Sequence, residues 1–316
     1  MTEFKNDFSW SKSRDECLKQ CKRKYYFNHY GFWNGWINSE DDRKKRIYYL
    51  KQLNTKEIWL GQIIHEIIEH VLKQHRQDTK ITLGHALSIL KKRFDNGFLY
   101  SKLKEYTGFR SKIHKFFEDE YDIPITEEKK QELYKKAETC ITNFYNSDIF
   151  IEIKNTPTQD WITLEDFLSF NFEENKIYLS IDFAMKKDDE IILYDWKTGK
   201  ERFSDYKLQL ACYSLYVSQK FNINPLKIKA KIFNLAIDKE DTFKITEEVL
   251  DEMKLYIKGS IKNMKNLLNN PTENTALEES FPKAEDYHCK RCNYYKVCLG
   301  EWRNKQKTIK SFSLSQ

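Results

Sequence analysis

Residues 178–199 read YLSIDFAMKKDDEIILYDWKTG, and the reading of this stretch decides the fold. Alternation predicts a strand over about Ile177–Met185. Ile177, Leu179, Ile181 and Phe183 are expected on one face, with Tyr178, Ser180 and Asp182 on the other, because successive strand side chains point to opposite sides. The turn Lys186-Lys187-Asp188-Asp189 is charged and has nothing to bury. A second strand, Glu190–Lys197, is apolar until Asp195-Trp196-Lys197, and Thr198-Gly199 ends it. Asp195 and Lys197 are two apart and share a face, and a hairpin brings Asp182 alongside them. Two carboxylates and an ammonium at neighbouring strand ends can hold a divalent cation and a phosphate together. The plain alternative is a surface hairpin with ordinary charges.

Composition sets the frame around this hairpin. A chain of 316 residues makes one large domain or two ordinary ones, and 40% apolar with 15% aromatic content is enough for a core. Only 9 Gly and 5 Pro argue against long linkers. A net charge of +6 permits nucleic-acid binding without demonstrating it, because an electrostatic footprint is a patch and not a sum. The N-terminus MTEFKNDFSWSKSRDE has no apolar core for a signal peptide, and no apolar run is long enough to span a bilayer. A soluble, cytoplasmic protein is expected, in which seven cysteines do not form a disulfide framework.

Upstream, residues 9–30 read as one helix with Ser11 or Ser13 as N-cap, Cys17, Cys21 and Tyr25 on one face, and a basic, aromatic strip around Arg23 and Lys24. That strip suits a nucleic-acid backbone or a packed helix equally. A Trp-rich turn and a charged segment follow. A helix over about Thr55–Gln77 then carries a broad apolar stripe with Gly61-Gln62-Ile63-Ile64-His65 in its middle. A small residue one turn before a histidine lets another backbone approach closely. Residues 81–145 are helical and charged, with Thr82, Ser111 and Thr126 as caps, a break at Ile123-Pro124, Cys140 as a small core residue and no chemical motif. Phe150–Ile153 and Trp161–Phe172 read as short strands. Glu152 and Glu165 on them are candidates for an additional metal or water ligand.

Downstream, a helix over about Asp205–Gln219 places Gln209 and Tyr213 one turn apart on one face. A strand over Lys227–Ala236 and a helix starting at Thr246 follow. The tail holds Cys289, Cys292 and Cys298 in a C-x2-C-x5-C array, with His288 poorly placed to join Cys289 at one metal. A fourth thiolate must come from Cys17 or Cys21 at the other end of the chain. Four-thiolate zinc is one reading. Zinc sites usually come as two close pairs, however, whereas here there is one close pair, one spaced cysteine and one remote cysteine.

In this order, these residues resemble the RecB-like branch of the PD-(D/E)XK nuclease superfamily, and in particular its iron–sulfur members, the CRISPR-associated exonucleases and the AddB nuclease domain. The resemblance rests on Cys21-Lys22-Arg23-Lys24-Tyr25-Tyr26, Gly61…His65, Ile181-Asp182, Asp195-Trp196-Lys197-Thr198-Gly199, Gln209…Tyr213 and Cys289…Cys298. Lys22 stands where the family usually has Pro, and Ser180 where it usually has Gly. The resemblance implies an α/β, restriction-endonuclease-like core, a mixed central sheet flanked by helices. It also implies a single domain over 1–316, with 81–145 a helical insertion and with 9–30 plus 285–303 a metal-cluster region closing the two termini together. It implies Mg²⁺- or Mn²⁺-dependent hydrolysis of DNA. His65, Asp182, Asp195 and the Trp196 carbonyl would be metal ligands, with Lys197 beside the attacking water, Glu165 a further ligand, and Gln209 and Tyr213 orienting Lys197 or gripping DNA. Cys21, Cys289, Cys292 and Cys298 would hold a 4Fe-4S cluster, with Cys17 as the fallback. The activity implied is an end-dependent exonuclease on single-stranded or frayed DNA, with protein partners in repair, recombination or CRISPR- and phage-related processing. The rivals are a sequence- or structure-specific endonuclease and a non-catalytic DNA-binding subunit. No G-x4-G-K-[ST] occurs, so no ATP motor is expected in this chain.

Overall fold

Charge at both ends of an apolar alternation folds residues 175–197 into a hairpin, around which the remaining elements assemble. The structure is a computed structural model that describes residues 5–36, 39–101, 115–199 and 206–300. The expected cap Ser111, the helix start at Asp205 and residues 301–303 of the cluster region lie outside the described residues. In chain order the strands are β1 (Ser9–Trp10), β2 (Leu53–Asn54), β3 (Lys115–Phe116), β4 (Trp161–Phe172), β5 (Asn175–Lys187), β6 (Glu190–Lys197), β7 (Ile228–Asn234) and β8 (Lys239–Lys244). The helices are α1 (Lys12–Gln20), α2 (Lys22–Tyr26), α3 (Asp42–Lys51), α4 (Lys56–Arg76), α5 (Leu83–Ser101), α6 (Phe117–Glu120), α7 (Glu127–Asn146), α8 (Asp148–Asn155), α9 (Lys207–Phe221), α10 (Glu247–Lys265) and α11 (Tyr295–Cys298). No described helix is long and apolar enough to cross a membrane.

The central sheet is mixed. β5 pairs antiparallel with β4 and β6, β6 pairs parallel with β7, and β7 pairs antiparallel with β8. β1 adds two residues parallel to β5, and β2 pairs with β3 in a separate two-stranded sheet. Helices cover both faces. Ile192, Tyr194 and Trp196 of β6 pack with α4, α5, α7 and α8 in one core, while Ile191 and Leu193 pack with α9 and α10 in the other. Strand alternation thus feeds two cores from one strand. A third, smaller core joins Phe27, Ile47 and Leu50 to Phe117, Tyr121, Tyr294 and Tyr295. Among the described residues of 81–145, Leu90, Phe94, Leu133, Ala137 and Phe144 join the first core with Ile63 and Ile67. Thr82 and Thr126 cap their helices, and Cys140 is buried among them.

Three expectations are corrected, and one that was left open is decided. Phe183 does not follow Ile177, Leu179 and Ile181 into the second core; with Met185 it packs in the first. Both β4 and β5 change face at the register position where Glu165 stands opposite Asp182, and Glu165 takes a left-handed backbone with φ 53°. Phe150–Ile153 is not a strand but part of α8. Ser147 Oγ accepts from the Phe150 N–H at 3.1 Å, and Ile149, Phe150 and Ile153 bury at helical spacing. Residues 9–30 are not one helix. The chain is extended at Cys21, which ends α1 and caps α2 through a hydrogen bond from the Lys24 N–H to its Sγ. The strip around Arg23 is packed, since the guanidinium pairs with Glu278 at 2.6 Å and donates to the Phe281 carbonyl at 2.7 Å.

A buried polar knot ties the N-terminus to α10. Asp15 accepts from the Ser260 and Tyr256 hydroxyls and pairs with Lys19 at 3.2 Å, and Trp10 Nε1 donates to Ser260 Oγ at 2.8 Å. Asp15→Ala strands these donors in a buried position. It is expected to lower the unfolding free energy by about 2–3 kcal/mol, measured by urea denaturation.

Candidate active site

Three elements converge at the Asp182 end of the hairpin. The last paired residues of β5 and β6 are Phe183 and Tyr194, so Asp182 and Asp195 face each other one step further on. There the Asp182 carboxylate takes over from the ladder, Oδ2 accepting the Trp196 backbone N–H at 2.6 Å. α4 lies across this end. Thr55 caps it, its apolar stripe buries in the first core, and His65 sits at the edge of that stripe. Gly61 permits the approach, because a Cβ built there would lie 3.3 Å from Thr198 Oγ1 at the end of β6. What comes close to the glycine is therefore a side chain of the Asp195–Gly199 segment.

His65 Nδ1 stands 3.2 Å from Glu165 Oε1 and 3.5 Å from Asp182 Oδ1. One ligand atom from each of His65, Glu165 and Asp182 lies within 4.8 Å of the others. Asp195 is 1% exposed, and Lys197 Nζ lies 2.6 Å from its Oδ2. Gln209 on α9 spans the pair, accepting from Lys197 Nζ at 3.1 Å and donating to Asp195 Oδ1 at 2.9 Å. Gln209 also donates to the Tyr213 hydroxyl, itself 3.5 Å from Asp195 Oδ1. Tyr213 is buried, so it faces the acid and not solvent. The backbone turn at Glu165 is a strained conformation for this residue, and it delivers the carboxyl to His65.

The electrostatics follow from crowding. Burial pushes Glu165 up to about 7, the His65 hydrogen bond working against it and the Asp182 charge with it. Burial likewise lifts Asp195 to about 6, against the pull of Lys197 and with the push of Asp182. Burial disfavours a charged His65, but Asp182 and Glu165 outweigh it and hold the ring well above its usual range. Three carboxyls sharing a largely buried site repel one another, and a divalent cation relieves that repulsion. The donor set, the His65 imidazole with the Glu165 and Asp182 carboxylates within 4.8 Å of one another, fits such an ion.

Glu152 is not brought here; it pairs with Lys187 at 2.6 Å and accepts from the Tyr194 hydroxyl at 2.7 Å. Tyr206 has no sequence signal, and the motif residue Thr198 takes a place that its motif does not foretell. Tyr206 places its ring 4.7 Å from Lys197 Nζ, and Thr198 abuts Gly61.

In a separate cavity, Cys21, Cys289, Cys292 and Cys298 come together, walled by Phe27, Tyr294 and Tyr295. Cys17 lies elsewhere, accepting from Asn28 Nδ2 at 3.2 Å and packing against the second core. His288 meets Gln20 at 3.1 Å. Burial and the neighbouring thiols push Cys292 up to about 12, and burial also raises Cys289 and Cys298.

A mixed sheet flanked by helices, with acids at adjacent strand ends, defines a restriction-endonuclease-like core. The family model of the PD-(D/E)XK nuclease superfamily matches residues 9–299, and the chain belongs to that superfamily. Membership implies a metal-dependent nuclease with DNA as its substrate. No curated protein matches the chain.

Proposed function

We propose that this chain is a Mg²⁺- or Mn²⁺-dependent exonuclease of the RecB-like branch that hydrolyses single-stranded or end-frayed DNA from its ends. The observation carrying the reading is the junction of His65, Glu165 and Asp182 with the Asp195–Lys197–Gln209 chain. His65, Glu165, Asp182, Asp195 and the Trp196 carbonyl would hold the cation. Bound there, it supplies Lewis-acid charge to the scissile phosphate and lowers the pKa of a coordinated water. Imidazole among the donors shifts preference towards Mn²⁺. Lys197, fixed by Asp195 and Gln209, orients the attacking water and answers the charge that develops on phosphate. Tyr213 and Gln209 act as positioning groups for that pair. Asp182, Asp195 and Lys197 are all present, which argues against a non-catalytic subunit. A cytoplasmic enzyme with protein partners in repair, recombination or CRISPR- and phage-related processing is the setting in which such an activity belongs.

The same proposal places a 4Fe-4S cluster on Cys21, Cys289, Cys292 and Cys298. A Zn–S bond of about 2.3 Å requires sulfurs about 3.8 Å apart. No three of the described thiols come within 4.8 Å of one another. The described thiols are thus not set at zinc spacing, and a cluster held by these four would fasten the N-terminal helices to the C-terminal segment.

The deciding experiment digests end-labelled linear and covalently closed circular DNA in parallel, with Mg²⁺ and with Mn²⁺. Degradation of linear DNA alone is expected, whereas cutting of closed circles would assign an endonuclease. Gly61→Val is expected to push α4 off the end of β6 and weaken Mn²⁺ binding on the order of tenfold, measured by titration calorimetry.

A further inference from the structure

β5 has an open stretch of edge beside the active site. β4 accompanies it along one side throughout. On the other side β1 lies against Lys176 and Ile177, and β6 joins only at Phe183. Residues 178–182 thus have no described strand on that side. A groove of ≈ 670 Å³ opens there. Lys12 and Arg14 line its N-terminal wall, Phe167 and Tyr178 its sheet wall, and Gln209 and Tyr213 its inner end. Those last two residues touch Asp195.

Phe167 is 74% exposed, although it lies on a strand face where a polar residue would serve. It is not isolated. Residues 167 and 178 are diagonal neighbours across β4 and β5, and their rings stack with centroids 4.8 Å apart and planes at 19°. Lys176 Nζ lies 5.2 Å from the Tyr178 ring. The wall opposite carries cations and hydroxyls: Arg14 is anchored on the Ser9 carbonyl at 2.9 Å, Lys12 pairs with Glu16 at 2.8 Å, and Ser11 meets Ser13 at 3.0 Å. One wall therefore offers an aromatic face and the other offers phosphate partners. That combination grips an unpaired strand, whose bases have free faces, and not a duplex, whose bases are already stacked.

We propose that Phe167, backed by Tyr178, is a stacking platform for an unpaired nucleobase of DNA, and that the groove beside it leads the strand past Lys12 and Arg14 to the active centre. The inference deepens the nuclease reading and rests on it for the strand's destination, while the platform itself is a binding claim. The test measures fluorescence anisotropy of a short labelled oligodeoxythymidine and of a blunt duplex with the full chain in EDTA. Phe167→Ala is expected to weaken single-strand binding on the order of tenfold, leaving duplex binding and the melting temperature near the parent's, and Phe167→Trp to retain it. In cleavage, Phe167→Ala is expected to raise KM and keep kcat. Equal single-strand affinity of Phe167→Ala and the parent, or an equal loss for both DNAs, overturns the platform. A parent that binds through Phe167 but hydrolyses nothing with either cation overturns the nuclease reading and leaves the platform standing.

Discussion

Lys197→Ala is expected to reduce cleavage by roughly a hundred- to a thousandfold, the range seen when one preorganised electrostatic partner is removed. Asp195→Ala is expected to abolish it, and neither variant is expected to unfold. The reason lies in what these side chains do when no substrate is present. Asp195 is fully buried and close to Asp182, and burial with that neighbouring charge outweighs the pull of Lys197 2.6 Å away. Such a group is held for chemistry at a cost to the fold, so its removal relieves repulsion while stranding Lys197 and Gln209, and the two effects oppose each other. Melting in EDTA is therefore expected within a few degrees of the parent. The response to Mn²⁺ separates the variants. A cation at about a hundredfold excess over its Kd stabilises the parent by about 2.7 kcal/mol, and Asp195→Ala should forfeit most of that shift. Lys197→Ala should keep it, because the ammonium is not a ligand. Cleavage surviving in a nuclease-free preparation of either variant would sink the site.

Strand period made much of this centre legible. Asp195 and Lys197 share a face because they are two apart, and the charged turn, tightened to Asp188-Asp189 with Lys186 and Lys187 paired in β5, sets the hairpin that puts Asp182 opposite Asp195. Gly61 and His65 read as one face of a helix, but nothing in the sequence says that the face meets Thr198. The side taken by Phe183 was not legible either, since it depends on a left-handed residue at Glu165, and a glutamate gives no warning of positive φ. Phe150 to Ile153 invites a strand because isoleucine and phenylalanine favour one, yet the Ser147 cap and the spacing of buried positions decide for helix. The break at Cys21 is hidden because the residues on either side suit helices. β8, KEDTFK, escaped notice because an edge strand needs few apolar residues. Functional and strained positions are where local rules are expected to fail.

Cys21→Ala and Cys17→Ala are expected to part company, although the two cysteines are one helical turn apart in sequence. Protein purified without air should be brown, absorbing near ~400 nm, with iron and sulfide in equal amounts. Cys21→Ala should lose the colour, because Cys21 lines the cavity with Cys289, Cys292 and Cys298. Cys17→Ala should stay brown, since its sulfur faces Asn28 and the second core. The stability effect follows from chain topology. A link between Cys21 and the tail closes most of the chain into a loop. By analogy with a disulfide across a long loop, its loss should cost about 3–5 kcal/mol. Part of the junction survives without it. Phe27 and Tyr294 keep their rings 5.1 Å apart, Arg23 keeps Glu278, and the Tyr121 hydroxyl still donates to the Asn293 carbonyl at 2.7 Å. The damage should therefore appear as faster hydrogen exchange in α2 and residues 287–298, with protection of β5 and β6 retained. Colourless protein carrying one zinc per chain would replace iron–sulfur with a structural zinc site. Bleaching by Cys17→Ala but not by Cys21→Ala would show that the extended residue between α1 and α2 serves only to cap the second helix.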